Sequence, residues 1–204
     1  MIDTDKVMKL LIWNPFSLLT ALAVAIGVTG ASKPPVEPPP VEEAPQMKKS
    51  GKKTKRWTLQ GGTPEENEVL DYFQTKGITD RAALAVLLGN IKQESKFDVR
   101  VCEGGKRTGY WGCHSGGFGL IQWTTEGRYQ GLGRYAQANG CDPNSLQCQL
   151  DYLMSEVEWT KVQSGFMSDN NSIDGYMRLA KRWLGWGVHG ARTTYSYEYY
   201  DLLR

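Results

Sequence analysis

The stretch GNIKQESKFDVR, residues 89–100, decides how this chain is read. The residues just before it, 82–91, are almost wholly apolar, and Leu84, Leu87, Leu88 and Ile91 repeat with the spacing of one buried helical face. Glu94 lies three residues after Ile91 and seven after Leu87, so it continues that face while Lys92 and Gln93 point elsewhere. Burying a carboxylate is costly and demands a partner or a task. One reading is a helix-end Glu paired with a nearby Arg or Lys. The other puts Glu94 where the core meets a cleft. Partial desolvation would then raise its pKa and keep it protonated near neutral pH, as a general acid requires.

Working outward, Thr63-Pro64-Glu65-Glu66 reads as a helix start, with Thr63 as N-cap, Pro64 at the first helical position and Glu66 closing a capping box. Val69, Leu70, Tyr72 and Phe73 give that helix its apolar face, and Gly77 marks its end. Thr79 or Asp80 caps the next helix, which runs to about Lys96. Residues 98–120 are glycine-rich without a helical period and read as short strands and tight turns. Helical patterns return at about 126–138, 144–160, 172–184 and 191–203, the second with a Leu146, Leu150, Leu153, Val157 stripe. The fold class is mainly α (α+β): a helical domain at 57–204 with a small glycine-rich β insertion.

Upstream, residues 10–28 carry no charged side chain and as a helix would span about 28 Å, near a bilayer's hydrocarbon thickness. Residues 1–32 read as an apolar N-terminal segment: an anchor, a signal or an insertion helix, with a helix buried against a partner protein as the bland alternative. Six prolines in 33–47 predict a stiff extended spacer, and six basic residues in 48–56 complete a linker over 33–56. That basic run is a solvated tether, or it touches anionic lipid or an acidic wall polymer.

A net charge of +2 argues against nucleic-acid binding by charge alone, and no specific nucleic-acid partner is expected. The four cysteines, Cys102, Cys113, Cys141 and Cys148, contain no C-x-x-C. Two local disulfides, Cys102–Cys113 and Cys141–Cys148, in an oxidising compartment are the favoured reading, with free buried thiols as the alternative. The positive-inside rule would put the basic run in the cytoplasm, and the cysteines weigh against that. His114 and His189 lack an Asp or Cys cluster, so no metal and no cofactor is expected.

The second informative stretch is GGFGLIQW, 116–123. Its glycines permit close backbone approach, Gln122 offers an amide donor and acceptor, and Trp123 offers an apolar face. Taken alone, it is a glycine-rich turn into a buried Trp. Together, an apolar helix ending G-N-I-x-x-E-S-x-F, a glycine-rich loop and G-L-I-Q-W resemble the lysozyme-like superfamily, and most closely its phage tail-associated lysozymes. Lytic transglycosylases and goose-type lysozymes are more distant relatives. RWLGWGVHGARTTYSYEYYD, 182–201, is similar to that family's closing segment, and the resemblance covers roughly 64–203.

The resemblance implies a lysozyme-like domain that cleaves the β-1,4 bond between N-acetylmuramic acid and N-acetylglucosamine in peptidoglycan. It makes Glu94 the catalytic acid and Ser95 the residue that helps fix it. Gly119 and Gln122 become the G-x-x-Q motif of the glycan groove, joined by Trp123, Arg192 and Tyr195 as substrate-binding residues. A hydrolase needs a second carboxylate, for which Glu103 is chosen over Asp98 and Glu126. If none serves, a lytic transglycosylase with a single catalytic Glu is expected. The partners implied are peptidoglycan glycan strands, phage tail or core proteins, and a membrane contacted through residues 10–28. The location implied is a virion, in the phage tail or internal core, acting on the host periplasm and cell wall. The alternatives are a membrane-anchored enzyme facing the periplasm, or a non-catalytic wall-binding or tail structural module.

Overall fold

The structure is a computed structural model that describes residues 55–114 and 116–204. The expectations for the apolar segment 10–28, the proline spacer and most of the basic run fall outside the described residues. No helix among the described residues is long and apolar enough to cross a membrane. The described residues fall within one compact unit.

The domain is mainly helical. Helix α1, Pro64–Thr75, starts on the expected capping box: Thr63 Oγ1 accepts from the Glu66 amide, and the Glu66 carboxylate accepts from the Thr63 amide. Gly77 turns left-handed just beyond it (φ 92°). Helix α2, Arg81–Ser95, is capped by Asp80 and carries the central core, with Leu84, Leu87, Leu88 and Ile91 wholly buried. Lys96 and Phe97 end it, both left-handed (φ 52° and 65°) without being glycine. Such conformations cost of order 1–3 kcal/mol each. Burial of Phe97 edge-on against Tyr199, at a centroid distance of 6.2 Å, offsets part of that.

The insertion contains strands β1 (Val101–Cys102) and β2 (Lys106–Arg107), paired antiparallel. Its return limb, 118–123, is a tight turn in which Phe118 and Trp123 exchange backbone hydrogen bonds. Both cysteine pairs are bonded, Cys102–Cys113 and Cys141–Cys148. Helices α3 (Glu126–Asn139), α4 (Leu146–Ser155), α5 (Val157–Thr160), α6 (Gln163–Met167), α7 (Ile173–Leu184) and α8 (Arg192–Leu202) follow.

One helical expectation is corrected, and one short helix is added to those expected. The segment 144–160 is not one helix, because Glu156 takes an extended backbone (ψ 143°) that separates α4 from α5. Its buried carboxylate is held by Arg128 and Trp123, and that attachment outweighs helix continuity. The leucine stripe ends there, so Val157 is left 61% exposed. Helix α6 was not expected, since five residues are too few to show a period.

Gly89 admits α8: a Cβ there would come within 2.6 Å of the Ser196 amide nitrogen. Buried Asn90 donates to the Val86 carbonyl. Gln93 Oε1 accepts from the Ala191 amide at 2.8 Å, fixing the start of α8. The terminal residues of the domain are also paired, with Thr58 and Arg204 exchanging backbone hydrogen bonds across a Leu59–Leu203 bridge.

Candidate active site

Glu94 is the penultimate residue of α2, with only 15% of its side chain exposed. The close packing of α8 on α2 brings Arg192, the first residue of α8, against it, and Arg192 Nη2 donates to Glu94 Oε1. Arg192 Nη1 is held by the carbonyls of Val188 (2.9 Å) and His189 (2.8 Å), and its guanidinium lies 4.7 Å from the Trp186 ring centre. Glu94 Oε2 has no hydrogen-bond partner among the described residues, and it is not sealed in the core. It belongs to a side chain that lines a cavity of about 330 Å³. Oε1 is thus paired as the first sequence reading has it, and the side chain borders a cavity as the second does.

The electrostatics follow from this placement. Burial pushes the Glu94 carboxyl above its ordinary range. The guanidiniums of Arg192, which also hydrogen-bonds it, and of Arg128 pull it back without cancelling the rise. An oxygen that accepts an N–H bond from Arg192 is disfavoured as the protonated one. The proton of neutral Glu94 therefore belongs on Oε2, the oxygen without a protein partner.

The rest of the cavity wall comes from three segments: Ile121 and Gln122 in the turn with Thr124 and Thr125 just after it, Arg128 on α3, and residues 184–187 with Trp186. Gln122 sits left-handed (φ 53°), and its amide nitrogen donates to the carbonyls of Val101 (3.2 Å) and Gly119 (3.0 Å). Its donor is thus spent inside the protein, and only its oxygen remains to meet a ligand. Arg128 is aimed by a two-point pair with Glu156, at 2.7 and 2.8 Å.

Several residues expected at the site stand behind it or away from it. Ser95 is buried, and its hydroxyl donates to the Leu120 carbonyl at 2.8 Å, which ties the end of α2 to the turn. Gly119 is left-handed (φ 71°) and bare because Gln149 presses on it; a Cβ would lie 2.6 Å from Gln149 Oε1. Trp123 is fully buried with its indole N–H donating to Glu156, so it offers no face to a sugar. Trp186 is the tryptophan at the cavity wall. Tyr195 lies under Lys92, 4.8 Å from its ammonium, and not on that wall.

The three candidates for a second carboxylate are also elsewhere. Glu103 is exposed beside Gly116, Asp98 pairs with Arg107 at 3.0 Å, and Glu126 lines a different cavity. Among the described residues, Glu94 is the only carboxyl on the wall of its cavity.

Arg128, Glu156, Gln149 and Trp186 were not singled out for these roles from sequence. Wholly buried Gln149 accepts from the Leu120 amide (2.8 Å) and donates to the carbonyls of Val99 (2.7 Å) and Pro143 (2.8 Å), so it organises the turn from behind. Its signal was a polar residue set between Cys148 and Leu150. No local pattern announces Arg128–Glu156, whose members are 28 residues apart.

Comparison with known families finds a match to the phage tail lysozyme model over residues 65–203, and the chain belongs to that family. No curated protein matches. Membership supports a lysozyme-like, peptidoglycan-degrading role in a phage, and a virion-associated place of action at the cell wall.

Proposed function

We propose that this protein cleaves the β-1,4 bond between N-acetylmuramic acid and N-acetylglucosamine, with Glu94 protonating the leaving oxygen. The observation that carries the reading is the division of the carboxyl: Oε1 bound to Arg192 and Oε2 left for the cavity, with burial raising the carboxyl above its ordinary range. Once the proton leaves, Arg192 and Arg128 favour the resulting carboxylate, which is then poised to accept a proton from the incoming nucleophile.

Two nucleophiles fit. A cavity wall with a single carboxyl favours attack by the substrate's own 6-hydroxyl, which yields an anhydro-sugar. The family's description as lysozyme favours water instead. The two products differ by one water, so mass spectrometry of the released sugar ends distinguishes them.

The test is a zymogram on cell-wall material with the full chain and its Glu94→Gln variant. The wild type clears and the variant does not. Equal clearing by both would remove Glu94 as the acid. No clearing by either folded protein would favour a non-catalytic wall-binding or tail module. We place the protein in the virion, in the tail or internal core, with residues 1–32 as its membrane or partner contact and 33–56 as the tether to the 57–204 domain. Deletion of 1–32 should release the particle or membrane association and spare wall clearing.

A further inference from the structure

The Glu156 side chain is only 2% exposed, and its extended backbone breaks the helical run between α4 and α5. Its Oε1 accepts from Arg128 Nε at 2.7 Å, and its Oε2 accepts from Arg128 Nη2 at 2.8 Å and from the Trp123 indole at 3.0 Å. Taking two charges out of water is expensive, and a buried pair often does no better than apolar side chains of like volume. Stability is therefore a weak account of why this carboxylate lies here.

The pair is one-sided. Glu156 binds the Nε–Nη2 edge of the guanidinium, and no described residue bonds Arg128 Nη1. Nη1 is not sealed in the core, and Arg128 lines the Glu94 cavity. Glu156 itself is not on that wall. A two-point fork fixes the plane of a guanidinium, where one contact would let it swing. The Tyr152 hydroxyl also donates to the Arg128 carbonyl at 2.8 Å, so both the head group and the backbone of Arg128 are held.

We propose that Glu156 is a positioning residue for the chemistry at Glu94, acting through Arg128: it holds the guanidinium at the cavity wall and offsets part of its charge. The inference rests on the proposed function. The charges that bear on Glu94 are few. Among the described residues, the ionisable groups on the cavity wall are Glu94, Arg128 and Arg192. Behind Arg128 stand Glu156 and half-buried Glu158 of α5. On α2, Lys92 is paired with Glu198 at 3.4 Å, and the His189 ring, ahead of α8, meets Thr193 at 2.8 Å. The charge of Arg128 lowers the Glu94 carboxyl, and a carboxylate bound to that guanidinium subtracts from the effect. With Glu156 in place the lowering is partial and burial prevails. Without it the full charge of Arg128 bears on Glu94, which then loses its proton more readily.

The test follows clearing of cell-wall material against pH by the full chain and three variants. The Glu94 titration is read separately, by NMR of isotope-labelled glutamate carboxyls assigned with Glu94→Gln. Glu156→Gln keeps an acceptor oxygen and removes the negative charge. Its Glu94 titration, and the limb on which clearing falls with rising pH, should move to lower pH by about half a unit or more. Arg128→Gln should move both to higher pH. The double variant should lie between the two. A pair that only held the fold together would lower the melting temperature and the clearing of every variant and leave the titration in place. An unmoved Glu94 titration, or one moved in the same direction by both single variants, overturns the proposal. If Glu156→Gln does not fold, the double variant replaces it: Glu94 should titrate lower there than in Arg128→Gln, and equal titration overturns the proposal. If the wild type clears, Glu94→Gln does not and the titrations stay in place, the positioning role alone falls. If the titrations move as stated and no protein clears, the charge link stands and the catalytic reading falls.

Discussion

Arg192 Nη2 donates to Glu94 Oε1, and no described residue bonds Glu94 Oε2. This contact joins the first residue of α8 to the penultimate residue of α2. It decides which oxygen can carry the proton, and it opposes the desolvation that raises the carboxyl. A general acid with an arginine partner is balanced between two charge states, and here burial prevails.

Arg192→Gln keeps a donor for the Val188 and His189 carbonyls and removes the positive charge. The Glu94 carboxyl then rises further, because its largest lowering influence is gone. The limb of the pH–activity profile on which clearing falls with rising pH should move to higher pH. A profile that stays in place, or moves to lower pH, contradicts the role assigned to Arg192.

The same shift predicts a pH-dependent stability. The Glu94 carboxyl is raised in the folded state, so its contribution is fully present below the unfolded value and is lost as pH rises through the folded one. Glu94→Gln lacks this titration. The melting temperature of the wild type relative to the variant should therefore decline as pH rises from about 4.3 past the raised value. A constant difference across that window would show that the carboxyl is not raised.

Gln149→Leu strands the Leu120 amide and the carbonyls of Val99 and Pro143 behind the turn. One stranded buried group costs about 1–3 kcal/mol, so denaturant unfolding should register at least that loss. Wall clearing should fall as well, because Ser95 and Gln122 are both bonded to this turn. A variant as stable and as active as the wild type would remove Gln149 as its organiser.

Reduction of Cys102–Cys113 and Cys141–Cys148, which close loops of 11 and 7 residues, should cost about 2–4 kcal/mol each. The melting temperature should drop by several degrees for a domain of this size.

What was legible in the sequence was what short-range physics writes. The Thr63–Glu66 capping box spans three residues and forms as read. The leucines of α2 repeat with the helical period and are buried as a set. Glu94 stood out because it continues an apolar face. The less legible features depend on long-range partners. The break at Glu156 is set by Arg128, 28 residues away, and by Trp123, 33 residues away. The burial of Trp123 follows from the same carboxylate. Gly119 looked like a ligand-facing glycine, and its bareness serves Gln149 from another helix. Trp123 and Gly119 stand out by residue type and Glu156 does not, and in none of the three can the partner be read from neighbouring letters.

The zipped ends of the domain have an engineering consequence. Because Thr58 and Arg204 sit side by side, the whole unit has the geometry of a cassette: it can be spliced into an exposed loop of a host protein with both seams at one point. New termini could likewise be opened elsewhere on the surface after the old ones are joined by a short bridge, without pulling α2 away from α8.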